Sequence, residues 1–323
     1  MKRLARFSAI AVALVFASLA GAQLQPGSHM VRDLRITVLS TMLADTAGIG
    51  EWGFAAVVEA DGRRILFDTG ARPQTVIANA AELKVNLADI TDVVLSHHHG
   101  DHTGGLITLR RALAEKNPRA LSAAHVGKGI FFKRPGASPF GSAVAEWKSA
   151  FEQSGGRFTE YDKPAEIMPG VWFTGPVPRK YPERNWSGSG KVETPEGTEE
   201  DNVPEDMSMA FQTAKGIVVL SGCGHAGIVN TLEHVRNRIA NAPVFAALGG
   251  FHLFQLDDEK LAWTASKLRE FGVQRFLGAH CTGIEATYRI RQLNGMTRQN
   301  CAVAAVGAVF DLNKELEPGR ISR

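Results

Sequence analysis

Ser96-His97-His98-His99-Gly100-Asp101-His102-Thr103-Gly104-Gly105 constrains this chain more than any other stretch, because four of its ten histidines fall within six consecutive positions. The apolar run Asp92 to Leu95 leads directly into it, which puts the histidines at the C-terminal end of a buried strand. In an extended segment residues two apart face the same way, so His97 and His99 present imidazoles to one cation while His98 points elsewhere. Beyond the turn at Gly100, Asp101 and His102 can serve a second cation. Two cations about 3.5 to 4 Å apart need about six protein ligands and a shared water, and a mixed imidazole and carboxylate set suits Zn(II) or another first-row ion. A solvent-exposed tag would carry neither the embedded Asp, the flanking Gly nor the preceding apolar strand.

The remaining ligands must come from far along the chain, and the pattern of elements says where. Strand-like runs at Leu34 to Thr41, Phe54 to Glu59 and Arg63 to Phe67 open the domain, the last two joined by Asp61-Gly62 as an antiparallel hairpin. Helical patterns follow at about Pro73 to Leu83, Leu106 to Lys116 and Ala143 to Gln153, with a short strand at Ala120 to Ala124. From Pro176 to Asp206 the texture changes to Pro, Gly and acids, which predicts a long irregular loop, either a lid or a solvated excursion. After it, Met209 to Thr213 and Ile217 to Leu220 form a second hairpin. Three apolar strands then run into marked turns: Ser221-Gly222-Cys223-Gly224-His225, Gly249-Gly250-Phe251-His252 and Gly278-Ala279-His280-Cys281-Thr282-Gly283. Strand-to-turn histidines recurring four times point to one rim that gathers them all. His225 and His280 are the expected distant ligands.

SHHHGDHTGG resembles the H-x-H-x-D-H signature of the metallo-β-lactamase superfamily. Phe67-Asp68-Thr69-Gly70 is similar to that family's first Asp motif, and His280 in GAHCTG to its final metal histidine. The resemblance runs from about Leu34 to the last strand. It implies an α+β fold, a four-layer αββα sandwich with a dinuclear site at one edge. His97, His99 and a later His would hold the first metal, and Asp101, His102 and His280 the second, with Asp68 orienting a ligand from behind. Many hydrolases of the family carry a later Gly-Asp whose carboxylate bridges the metals, whereas the corresponding strand here ends in SGCGHAG. His225 is the expected donor, since imidazole is the commoner ligand beside oxygen donors, and Cys223 is the second choice as a thiolate. SGCGHAG, GGFHL, GAHCTG and Glu51-Trp52-Gly53-Phe54 look most like the branch that includes an archaeal methanopterin-pathway synthase and many metal-dependent hydrolases.

Among the other histidines, His252 either reaches the pocket as a substrate contact or is a hydrogen-bonded core residue. His125 is a weaker substrate contact, His98 packs under the metal loop, and His234 lies on a helix surface. Cys281 would point away from the site if its segment is extended.

The charge of +3 comes wholly from Lys2, Arg3 and Arg6, leaving 33 bases and 33 acids in the rest of the chain. That balance gives no electrostatic footprint for nucleic acid, and a small molecule is the expected partner. Residues 1–22, with a basic start, the apolar run Phe7 to Ala20 and Ala20 and Ala22 in an A-x-A arrangement, read as a cleavable export signal too short to anchor in a bilayer. Residues 23–33 read as a flexible leader and 34–323 as a single catalytic domain, periplasmic or secreted. Three cysteines are too few for a disulfide framework; whether two of them pair stays open.

The function expected is that of an exported hydrolase of esters, lactones, amides or phosphoesters. Two divalent ions, zinc foremost and manganese or iron otherwise, would supply hydroxide as the nucleophile, and Asp101 would hold the second metal and help to handle the proton. The alternatives are a group-transfer enzyme like the methanopterin-pathway synthase, for which Arg179, Lys180 and Arg184 would offer a phosphate cradle, and a metal-retaining binding or sensing protein.

Overall fold

The computed structural model describes residues 29–136, 144–185 and 190–322; the expected signal segment and residues 23–28 of the leader lie outside them. In chain order the strands are β1 (Leu34–Ser40), β2 (Ala55–Ala60), β3 (Arg63–Phe67), β4 (Asp92–Leu95), β5 (Ala123–Gly127), β6 (Arg157–Tyr161), β7 (Ala165–Met168) and β8 (Val171–Phe173). They continue with β9 (Lys191–Thr194), β10 (Gly197–Glu200), β11 (Met209–Thr213), β12 (Gly216–Ser221), β13 (Val244–Gly249), β14 (Arg275–Gly278), β15 (Cys301–Val303) and β16 (Val309–Asp311). The helices are α1 (Thr75–Glu82), α2 (Gly100–Thr103), α3 (Leu106–Ala114), α4 (Val144–Gln153), α5 (Ile228–Arg238), α6 (Asp258–Glu270) and α7 (Ile284–Leu293).

One sheet runs β16-β1-β2-β3-β4-β5-β6 and the other β15-β14-β13-β12-β11-β8-β7. The first opens antiparallel across β1, β2 and β3, as the Asp61-Gly62 turn requires, and becomes parallel from β3 to β6. In the second, β11 and β12 form the expected hairpin, and β12 to β15 are parallel.

Strand alternation sorts side chains into three apolar layers. Val58, Phe67 and Val94 meet Phe211, Val218, Leu220 and Leu248 between the sheets. Their neighbours Val57, Leu66 and Val93 face outward onto Val76, Leu109 and Phe151 of α1, α3 and α4. On the far side Ile217 and Val219 pack under Leu232 of α5 and Leu268 of α6. Apolar residues on both faces of a strand require cover on both sides, and the result is an αββα sandwich.

Two expectations need correction. The stretch 176–206 is not free of regular structure, since β9 and β10 pair across Pro195-Glu196 as a hairpin whose residues Lys191↔Glu200 to Thr194↔Gly197 are in register. Its alternating Val and Thr among charged residues is a solvated two-stranded ribbon, a pattern masked by the surrounding Pro and Gly. The leader also ends earlier than residue 33: Val31 is buried and its N–H donates to the Gln212 carbonyl at 2.8 Å, so it extends the inter-sheet core.

Candidate metal centre

The parallel register of β3 with β4, and of β12, β13 and β14, brings the C-terminal ends of all five strands to one edge of the sandwich. Asp68 follows β3, His97 to His102 follow β4, Cys223 and His225 follow β12, His252 follows β13 and His280 follows β14. Of seven non-glycine residues with positive φ among those described, three are Asp68 (55°), His252 (49°) and His280 (45°). Left-handed backbone at non-glycine positions is costly, and it concentrates here because each strand must turn sharply to aim a side chain at one point.

Two three-donor groups result. His97, His99 and His225 form one, and Asp101, His102 and His280 the other; the ligand atoms in each lie within 4.8 Å of one another. Nε2 of His97 is 3.3 Å from Nε2 of His225, and Nε2 of His102 is 3.3 Å from Nε2 of His280. Asp101 Oδ2 is 3.2 Å from His280 Nε2. The two groups adjoin, with the His97 and His102 rings 4.2 Å apart between centroids.

What lies behind the rings fixes which nitrogen faces inward. Asp68 Oδ1 accepts from the Ser96 backbone N–H at 2.7 Å, and Oδ2 accepts from the Ser96 hydroxyl at 2.8 Å and from His102 Nδ1 at 2.7 Å. With its own proton given to Asp68, the Ser96 oxygen accepts from His97 Nδ1 at 2.9 Å. His225 Nδ1 donates to the Asn185 carbonyl. His97 and His225 therefore turn proton-free Nε2 lone pairs toward each other, an arrangement that repels unless a cation lies between them. This donor chemistry fits a divalent ion.

The electrostatics of His97, His99, His225 and Asp101 agree. Burial, reinforced by neighbouring imidazoles, holds His97 and His225 well below the ordinary histidine range and brings His99 down to about 3, so all three are neutral donors. Burial opposes ionisation of Asp101, but His102 and His280 outweigh it and keep the carboxyl far below its usual value. Burial also opposes the charge on His102, and the Asp68 and Asp101 carboxylates overcome it, raising this imidazole to about 9.

Cys223 and His225 are not alternatives. The Gly224 turn places both in the cleft, with Cys223 Sγ 3.1 Å from His102 Nε2 and within reach of donors from both groups. Gly222 is what permits this: a Cβ there would lie 2.1 Å from Ser96 Oγ and 2.6 Å from Asp68 Oδ2. Cys281 departs from expectation. Residues 280–282 form a single 3₁₀ turn instead of extended chain, which swings Cys281 Sγ to 3.2 Å from Cys223 Sγ.

His252 sits at the cleft edge, its ring 4.8 Å from that of His225 and its buried Nδ1 without a partner. Trp52 and Phe254, 49% and 40% exposed, form the rim, the Trp52 ring lying 5.0 Å from His280 and 5.4 Å from Phe254. His125 does not join the cluster; it lies within β5, bridging Asp92 at 2.9 Å and Tyr161 at 3.0 Å. His98 packs under the metal loop as expected, and His234 Nε2 donates to the Thr174 carbonyl at 3.1 Å from a half-buried position on α5.

Sequence reasoning missed the brace behind the site. Glu205 Oε1 accepts from the His98 backbone N–H at 3.1 Å and bonds its Nδ1 at 2.7 Å, while Oε2 pairs with Arg134 at 2.8 Å. The next residue, Asp206, accepts from the Ala226 N–H at 3.0 Å. Two consecutive acids at the end of the long excursion thus grip the backbone beside His97 and His99 and beside His225. Burial opposes the Glu205 charge, and Arg134 and His98 win, bringing it to about 2; at Asp206 burial wins and the carboxyl rises to about 6. Acids in a Pro-rich stretch read as solvated, so no sequence signal set these two apart.

An αββα sandwich with His- and Asp-rich strand ends converging at one edge defines a metallo-β-lactamase fold, and this chain belongs to the metallo-β-lactamase superfamily. Residues 53–178 match the model of that superfamily, whose members typically bind divalent metals. The chain is 31% identical over 239 residues, 72% of its length and 81% of the relative's, to the 7,8-dihydropterin-6-methyl-4-(β-D-ribofuranosyl)-aminobenzene-5'-phosphate synthase of Methanocaldococcus jannaschii. It is 29% identical over 254 residues to an uncharacterized protein of the same archaeon, covering 75% of this chain and 88% of that one. The crystal structure of Tm1679, a metal-dependent hydrolase of the β-lactamase superfamily, superposes with a TM-score of 0.68 at 25% identity, covering 86% of this chain and 98% of that one.

Proposed function

We propose that this protein is a metal-dependent hydrolase of a small molecule, with His97, His99 and His225 holding one divalent ion and Asp101, His102 and His280 a second. The observation that carries this reading is the facing pair of His97 and His225 Nε2 lone pairs, which no protein donor satisfies, beside the adjoining Asp101, His102 and His280 group. When bound, such ions lower the pKa of water toward neutrality and polarise the oxygen of the bond to be broken.

The chain's own residues supply the rest. Asp68 fixes the His102 tautomer through its Nδ1 proton and, through Ser96, that of His97. Asp101, ionised and with a side chain 22% exposed, faces the cleft, where it can hold charge and accept a hydrogen bond from the attacking water. His252, its ring 4.8 Å from that of His225 at the cleft edge, stands where a substrate contact is needed. Trp52 and Phe254 wall the entrance and favour a substrate with an apolar or aromatic arm. We place the mature protein outside the cytoplasm on the strength of residues 1–22, with zinc as the first choice of metal.

Group transfer is the second reading, favoured by the 31% identity to a synthase. Against it, the cations expected to cradle a phosphate are engaged within the protein: Arg179 donates to the Asn202 and Val203 carbonyls, Lys180 pairs with Glu233, and Arg184 pairs with Glu200. Metal analysis followed by ester, lactone, phosphodiester and β-lactam substrates separates the readings. Hydrolysis abolished in His99→Ala supports the first; two bound metals with no turnover of any substrate overturns it.

A further inference from the structure

Cys223 and Cys281 are the only pair of cysteines in contact among the described residues, and the fold has been shaped to let them meet. They follow β12 and β14, which are separated by β13, so two loops must close over the end of the middle strand. Gly250 occupies that end. A Cβ there would lie 1.9 Å from the Gly222 carbonyl oxygen and 3.1 Å from Cys281 Sγ, so any side chain would push the two cysteine loops apart. With glycine in place the sulfurs stand 3.2 Å from each other, and the His252 backbone N–H reaches Cys281 Sγ at 3.3 Å. Cys301, the third cysteine, contacts the Thr287 carbonyl instead.

We propose that Cys223 and Cys281 are a reversible oxidation site: a hydroperoxide converts them to a disulfide, which takes Cys223 out of the metal cleft. One thiol attacks the peroxide oxygen, giving a sulfenic acid and releasing an alcohol, or water from hydrogen peroxide itself. The second thiol attacks that sulfur and expels water. The two sulfurs lose two electrons together, the hydroperoxide gains them, and both thiol protons leave in the products. The sulfurs must close from 3.2 Å to about 2.05 Å. Glycines on both sides of Cys223 and Gly283 after Thr282 give the two loops the backbone freedom for that approach.

The bond pulls Cys223 Sγ away from His102 Nε2, now 3.1 Å distant, and ties the His280 turn to the β12 loop. Oxidation and cation binding at Asp101, His102 and His280 then exclude one another. The disulfide stands on the sulfur geometry alone; only the exclusion rests on the metal-centre reading.

The test treats full-length protein, either chelated or loaded with zinc, with equimolar hydrogen peroxide, followed by denaturation, alkylation and peptide mass mapping, with zinc measured in the same samples. The expected result in chelated protein is loss of two alkylatable thiols of three, a linked peptide pair containing Cys223 and Cys281, and full recovery with dithiothreitol. Zinc-loaded protein should react about tenfold more slowly or worse, because a cation held by His102 and His280 fixes the turn on which Cys281 must move. Cys301→Ser should behave as the parent, and Cys281→Ser should give no linked pair. Three thiols still free, or one sulfur over-oxidised without a link, overturns the proposal. A disulfide formed equally fast with stoichiometric zinc bound overturns the exclusion, whereas a chain that takes up no zinc yet forms the bond breaks the metal-centre reading and leaves the oxidation site.

Discussion

Replacing Arg134 with Leu should destabilise the protein by about 3 to 5 kcal/mol at pH 7, because it strips the cation from a buried carboxylate. Arg134 is 7% exposed and Glu205 fully buried, with their charged atoms 2.8 Å apart; the guanidinium also pairs with Asp201 at 2.8 Å and donates to the Ile130 and Phe132 carbonyls. A second route gives a similar figure. Lowering the Glu205 carboxyl from 4.5 to about 2 corresponds to about 3 kcal/mol of stabilisation. Since the folded value is depressed, that contribution is fully present above pH 4.5 and is lost as pH falls through about 2. In Arg134→Leu the carboxyl has lost the largest influence holding it ionised, so the gap between variant and parent should be widest at neutral pH and shrink below pH 4.5. Urea denaturation at pH 7, 5, 4 and 3 measures it. A difference under about 1 kcal/mol at pH 7, or one that stays constant with pH, would refute the argument that a buried charge pair braces the metal loop.

Asp68→Ala should weaken metal binding about 10- to 100-fold, read by competition with a chromophoric chelator, because His102 and Ser96 lose their common acceptor. Gly250→Ala forces a methyl against the Gly222 carbonyl, and its melting curve should report a loss of about 1 to 3 kcal/mol or more. If Trp52 walls the substrate entrance, Trp52→Ala should raise KM for apolar substrates with little change in zinc stoichiometry; a loss of zinc instead would make it a structural support for His280.

The donor set was legible because its signal is local: an apolar strand ending in Gly or Ser and then His is visible without knowing which strands are neighbours. Parallel register then does the gathering, and in the fold alternation sends Val57 and Val58, or Leu66 and Phe67, to opposite layers. What stayed hidden depends on backbone geometry or on partners distant in sequence. The 3₁₀ turn at His280 reverses where Cys281 points, and an extended-chain rule has no means of seeing it. Glu205 finds Arg134 and His98 across 71 and 107 positions, and its acidic, Pro-rich surroundings conceal that it is buried. The β9–β10 ribbon escaped notice because its neighbours, not its own residues, look irregular.

Each three-donor group draws two members from the sheet containing β4 and one from the sheet containing β12 and β14. Neither half of the sandwich owns a complete set. A cation seated in either group would work as a clasp across the seam, resisting any sliding of one sheet over the other, and its removal should loosen the docking of the halves before it unravels either one.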